Sequence, residues 1–141
     1  ATGPTGATGT LATASASTVN SNIQTVADTV NFSLAGNQFL DNVTFTAIDT
    51  FTVQQSGNYD LSAVVSATDG QSGPLGIDIL VNGVPATNIA GGRVRGTATG
   101  QQVTAIGFSG QIAAGSTITL RNVSGQPITT DYLRLKLVRI G

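Results

Sequence analysis

Residues 49–67 read DTFTVQQSGNYDLSAVVSA, and their pattern decides the fold class. Phe51 and Val53 alternate with Thr50 and Thr52. Ser56, Gly57 and Asn58 supply a turn. Tyr59, Leu61, Ala63, Val65 and Ala67 then share one face, and Asp60, Ser62, Val64 and Ser66 share the other. A period of two is the signature of half-buried β-strands. Residues 75–86, LGIDILVNGVPA, continue the theme, with Ile77, Ile79 and Val81 on one face. Asn82 and Gly83 form the strongest short hairpin signal, because a type I′ turn needs positive φ at both central residues. Pro85 in the returning strand implies an edge position or an early strand end.

Further strands are expected at about 101–109, 116–122 and 131–140, with Gly110, Gly115 and Gly125 between them. Residues 87–100 read as a loop or weak strand. In the last strand Leu133, Leu135 and Leu137 share one face, and Tyr132, Arg134, Lys136 and Val138 lie on the other. No segment reads as a helix. Eight to ten short strands imply an all-β sandwich or barrel, with a ten-stranded jelly roll as the natural count. Phe51, Val65, Ile77 and Ile79 are expected in the core.

The other end of the chain follows a different rule. Residues 1–11 read ATGPTGATGTL, with Gly3, Gly6 and Gly9 three apart and Pro4 at an X position; Ala12 ends the repeat. Glycine at every third residue is what a collagen triple helix requires, since only glycine fits at its axis. The expected organisation is the end of a collagen-like stalk at 1–11 and a head at 12–141. A stalk of three chains makes a trimeric head the leading idea. The chain contains no Met, so it is expected to be a piece of a longer protein.

Composition narrows the function classes. Charged residues are 9 %, against a usual figure near 25 %. All seven acids are Asp, and Lys occurs once. Thr, Ser, Asn, Gln and Gly must therefore cover the surface, which suits an extracellular or particle-surface protein. A basic face for nucleic acid is missing, and no apolar run reaches the ~20 residues of a helical membrane span. Without His or Cys, the usual nucleophilic systems and zinc or copper sites have no residues to use. The aspartates fit no catalytic motif and read as turn formers. Asp69–Gly73 likewise reads as a plain turn. No enzyme activity, metal or cofactor is expected.

Three N-x-[ST] matches occur, at Asn31, Asn42 and Asn122, a number that an Asn- and Thr-rich chain produces by chance. Arg93, Val94, Arg95, Gly96 and Thr97 lack the Asp of an integrin tripeptide.

The FT pair at Phe51 and Thr52, followed by Gly57-x-Tyr59-x-Leu61, resembles the strand pair in the globular heads of complement and tumour-necrosis-factor-like proteins. Those heads carry a final Phe where this chain has Leu61. The Gly-Pro-Thr and Gly-Ala-Thr triplets, the low-charge Thr-rich head and the stretch Ile79–Pro85 resemble the collagen-like exosporium glycoproteins of Bacillus spores (the BclA type). The resemblance implies a TNF-like jelly roll, a homotrimer and a place on a spore exosporium or appendage tip. It implies O-linked sugar on Thr5 and Thr8. It puts Tyr59, Leu61, Leu133, Leu135 and Leu137 in the sandwich core and Asp60, Ser62, Val64, Tyr132, Arg134 and Lys136 at the trimer interface, with an Asp60–Arg134 or Asp60–Lys136 ion pair to offset like charges at the axis. The expected role is a structural and interaction protein that nucleates the triple helix and presents the filament tip. The alternative is a receptor- or glycan-binding tip of a phage or cell-surface fibre.

Overall fold

The computed structural model describes residues 12–86, 92–94, 99 and 102–141. The triplet stretch, with Gly3, Gly6, Gly9, Thr5 and Thr8, lies outside the described residues. The described residues form twelve strands. They are β1 (Ser15–Asn20), β2 (Gln24–Val26), β3 (Asn37–Asp41), β4 (Val43–Ala47), β5 (Thr50–Val53) and β6 (Gly57–Ala67), followed by β7 (Leu75–Val81), β8 (Val84–Pro85), β9 (Gly92–Val94), β10 (Val103–Ile112), β11 (Thr117–Asn122) and β12 (Ile128–Arg139). One sheet has the order β10-β6-β12-β1-β3, with β2 also on β12. The other has the order β4-β5-β11-β7-β8, with β9 also on β7. Neighbouring strands are antiparallel throughout both sheets. The two sheets sandwich a common apolar core, and the chain is an all-β jelly roll.

The alternation read from residues 49–67 sorts side chains as expected. Phe51, Tyr59, Leu61, Val65, Ile77, Ile79, Leu133, Leu135 and Leu137 are all buried in that core. Phe45 joins them, packed edge-on against Phe51 with ring centroids 5.9 Å apart. The Tyr59 hydroxyl donates to the Gln55 carbonyl at 2.6 Å. Burial pushes its pKa up, against the pull of the Arg139 charge. Asn82 and Gly83 have φ of 53° and 78°, as the hairpin requires. Pro85 sits in β8, at the end of its sheet, where a missing N–H breaks no ladder bond.

Two local expectations change. Gly110 does not separate strands; β10 runs through it. A Cβ there would lie 2.6 Å from the Phe108 ring, so glycine is what lets that ring fold back along its own strand. Within 87–100, residues 92–94 form the short strand β9 on β7, and most of the remainder lies outside the described residues.

The first four strands carried no clear signal. The inward residues of β1 are Ala16, Thr18 and Asn20, which do not read as an apolar face. Their burial works because each polar group is satisfied. Thr18 Oγ1 donates to the Leu34 carbonyl at 2.6 Å, and Asn20 Nδ2 donates to the Ser33 carbonyl at 3.0 Å. Segment 32–36 therefore lies hard against β1. A Cβ on Gly36 would meet the Val19 carbonyl oxygen and lie 2.8 Å from the Val19 carbonyl carbon, so only glycine allows this approach.

Candidate assembly interface

Directly opposed residues of antiparallel strands share a face. The register of the first sheet therefore assigns its outward surface row by row. One row is Gly107, Ser62, Lys136, Ser17 and Phe39, from β10 across β6, β12 and β1 to β3. The next holds Ala105, Val64, Arg134, Val19 and Asn37. Beyond it lie Val103, Ser66 and Tyr132. On the other side is a row of Ser109, Asp60, Val138, Ser15 and Asp41. The six residues expected at an interface thus lie together on one surface. Asp60, Arg134 and Lys136 are exposed, and Ser62, Val64 and Tyr132 are half-buried.

This surface mixes small residues with two cations two positions apart on β12. Phe39, at its β3 edge, is 62 % exposed, and Val103, at its β10 edge, is 53 % exposed. Between them a recess of about 530 Å³ opens above Gly107, walled by Asp60, Ser62, Ser109, Lys136 and Val138. Gly107 lines it. A Cβ there would have only the Leu61 carbonyl within reach, at 3.7 Å, so packing inside the chain does not demand glycine.

The opposite face of the molecule is different. On β4 and β5, Thr46 and Thr52 share a hydroxyl hydrogen bond of 2.9 Å, and Gln54 Nε2 donates to Thr44 Oγ1 at 3.1 Å. A threonine ladder of this kind is a hydrated surface.

The Asp60 carboxylate accepts a hydrogen bond from Ser109 Oγ. Among the described residues it forms no ion pair with Arg134 or Lys136 within the chain. The register explains this. Val138 and Ser109 stand directly opposite Asp60, while Arg134 and Lys136 stand opposite Val64 and Ser62.

The base of the sheet holds the point where the chain enters the head. Arg139 Nη1 donates to the Ala12 carbonyl at 2.7 Å, and the Arg139 amide donates to the Ala14 carbonyl at 2.8 Å. Asn42 Nδ2 donates to the Thr13 carbonyl at 2.6 Å, and Thr13 Oγ1 donates to Asp41 Oδ2 at 2.7 Å. Strand β12 and the corner between β3 and β4 therefore grip residues 12–14. The C-terminal residues lie at the same end, where the Asn58 amide donates to the Gly141 carbonyl at 2.9 Å. Loops 21–23, 68–74 and 123–127 lie at the opposite, distal end.

Two polar clusters stabilise the second sheet. Asp49 accepts from Asn31 Nδ2 at 3.0 Å and from Thr50 Oγ1 at 2.7 Å. The Asn31 bond, aided by Thr50, holds the carboxyl below its usual value against the opposing effect of burial. Asn122 is wholly buried. Its Nδ2 reaches the carbonyls of Val26, Ala27 and Gln126 at 3.0, 3.2 and 3.0 Å, and its Oδ1 accepts from the Ser124 amide at 3.0 Å. This N-x-S match is a structural pin inaccessible to a sugar. Sequence reasoning passed over it because a buried Asn looks like any other Asn. Among the described residues no group of three or more His, Cys, Asp or Glu is placed to hold a metal.

No family model and no curated protein matches the sequence. Solved structures do match its fold. The globular domain of zebrafish complement 1qA protein aligns with a TM-score of 0.73 at 12 % identity, over 91 % of this chain and 98 % of that one. Eiger TNF from S. frugiperda aligns with a TM-score of 0.67 at 11 % identity, over 92 % of each chain. Murine APRIL aligns with a TM-score of 0.64 at 14 % identity, over 91 % of this chain and 99 % of that one. The chain has the fold of a TNF- and C1q-type globular head.

Proposed function

We propose that this chain is the trimerising head of a collagen-like surface filament, carried on a bacterial spore. It nucleates the triple helix and presents the filament tip. It acts by assembly and not by catalysis. The observation that carries the reading is the junction: Gly-X-Y triplets run to residue 11, and residues 12–14 are already gripped by β12 and by the Asp41–Asn42 corner. A head that trimerises where the triplet run ends brings three chains together at that point and sets the register in which the stalk zips. The outward face of β10-β6-β12-β1-β3, with an exposed Phe39 and a recess beside Gly107, is the surface suited to that task. The complement-type fold supports the layout of stalk below and head above. The distal loops 21–23, 68–74 and 123–127 contain no aromatic residue on which a sugar could stack, so the proposal rests with assembly and not with a glycan-binding tip.

Light scattering across protein concentration and salt tests this. The expected result is a salt-insensitive species at three times the chain mass of 14.2 kDa. A monomer at all concentrations overturns it.

A further inference from the structure

We infer that Phe39 of one copy seats in the recess above Gly107 of the next, closing a ring of three copies. The inference rests on the trimeric reading and deepens it by naming the contact.

Three observations carry it. Phe39 is a large apolar side chain left 62 % exposed on the edge strand β3. The recess of about 530 Å³ is floored by a glycine that packing within the chain does not require. Both lie on the same face of one sheet, at its opposite edges, and in the same transverse row: Gly107, Ser62, Lys136, Ser17, Phe39.

That last fact matters because of symmetry. A knob and a hole at different places on one chain make a head-to-tail contact, which closes into a ring when the rotation permits. Rotation preserves height along its axis. The chain enters at the base of β1 and the three entries must converge into one stalk, so the axis runs along the strands. A knob and a hole in one cross-strand row are at one height, and a rotation about that axis brings them together. A row offset by several residues would give a helical, unclosed assembly. Lys136, on the wall of the recess, would lie along the seated ring, where its stem adds apolar contact and its ammonium meets the ring face.

The chain has no cysteine, which makes the test clean. Asn37 and Ala105 are exposed in the adjacent row of the same face, so cysteines there leave Phe39 and Gly107 intact. Within one chain they are four strand spacings apart, roughly 19 Å, beyond the reach of a short bismaleimide. The double variant Asn37→Cys/Ala105→Cys, treated with that reagent, is expected to give a covalent product of three chains and none larger. Each single variant is expected to remain uncrosslinked. Phe39→Ala, at a position exposed in the single chain, is expected to weaken assembly by about tenfold or more while the far-UV spectrum is unchanged. If the double variant is trimeric by light scattering yet does not crosslink, the seat is wrong and the trimer stands. If Phe39→Ala assembles as tightly as the parent, the ring contributes nothing and the seat is also wrong. A monomeric parent overturns the trimer and the seat together.

Discussion

Replacing Asn122 by Ala removes a hub that joins three segments. The Nδ2 group has two protons, which serve the carbonyls of Val26, Ala27 and Gln126, and Oδ1 holds the Ser124 amide. Alanine would leave at least two carbonyls and one amide without a partner in a site with no solvent exposure. Each such loss costs about 1–1.5 kcal/mol when relaxation is partial, giving about 3–5 kcal/mol in all. For a domain of this size 1 kcal/mol moves the melting point by about 3–5 °C. The expected drop is therefore about 10–20 °C in a thermal scan followed by circular dichroism. Parent and variant must be compared at one protein concentration, since any assembly makes melting concentration-dependent. A fall of less than about 3 °C would mean that water replaces the lost bonds and that the hub is not structural.

Two further outcomes follow from the charged groups. Asp60 is exposed and accepts from Ser109 Oγ, so Asp60→Ala and Ser109→Ala are each expected to change the melting point by less than about 3 °C, with no salt dependence; a larger, salt-sensitive fall for Asp60→Ala alone would mean that it meets a cation of another copy. Asp49 has a lowered pKa, chiefly through Asn31. Its contribution is fully present above its unfolded value, about 3.9, and is lost as pH falls through the lower folded value. Asn31→Ala should therefore flatten the acid limb of the stability curve below about pH 4 while changing the slope between pH 6 and 8 little; an unchanged acid limb refutes the assignment.

Much of the fold was legible because its central strands alternate. Tyr59, Leu61 and Val65 against Asp60, Ser62 and Val64 state which side of β6 is buried, and Leu133, Leu135 and Leu137 do the same for β12. β1, β3 and β4 were not legible. Their inward positions include Ala16, Thr18 and Asn20, and the hydrogen bonds that make those residues acceptable inside come from segment 32–36. Propensity cannot see a partner so distant along the chain. The outward side chains of β6 and β12 were legible residue by residue, as the outward half of each alternation, whereas those of β1 and β3 were not. The partner of Asp60 was not, because the register places Ser109 opposite it, and register belongs to strand pairing.

The sequence by itself determined the period-two faces, the turn at Asn82 and Gly83, the hydroxyl-rich low-charge surface and the triplet run that precedes the head. These are local properties, settled by backbone sterics and by the chemistry of adjacent residues. Only the tertiary structure decided that β10, β6, β12, β1 and β3 lie side by side, that Phe39 and Gly107 share a row, and that Asn122 ties three segments together. Those depend on which strands pair and in what register. That choice minimises the exposed apolar area of the whole sandwich and is not encoded in any one strand.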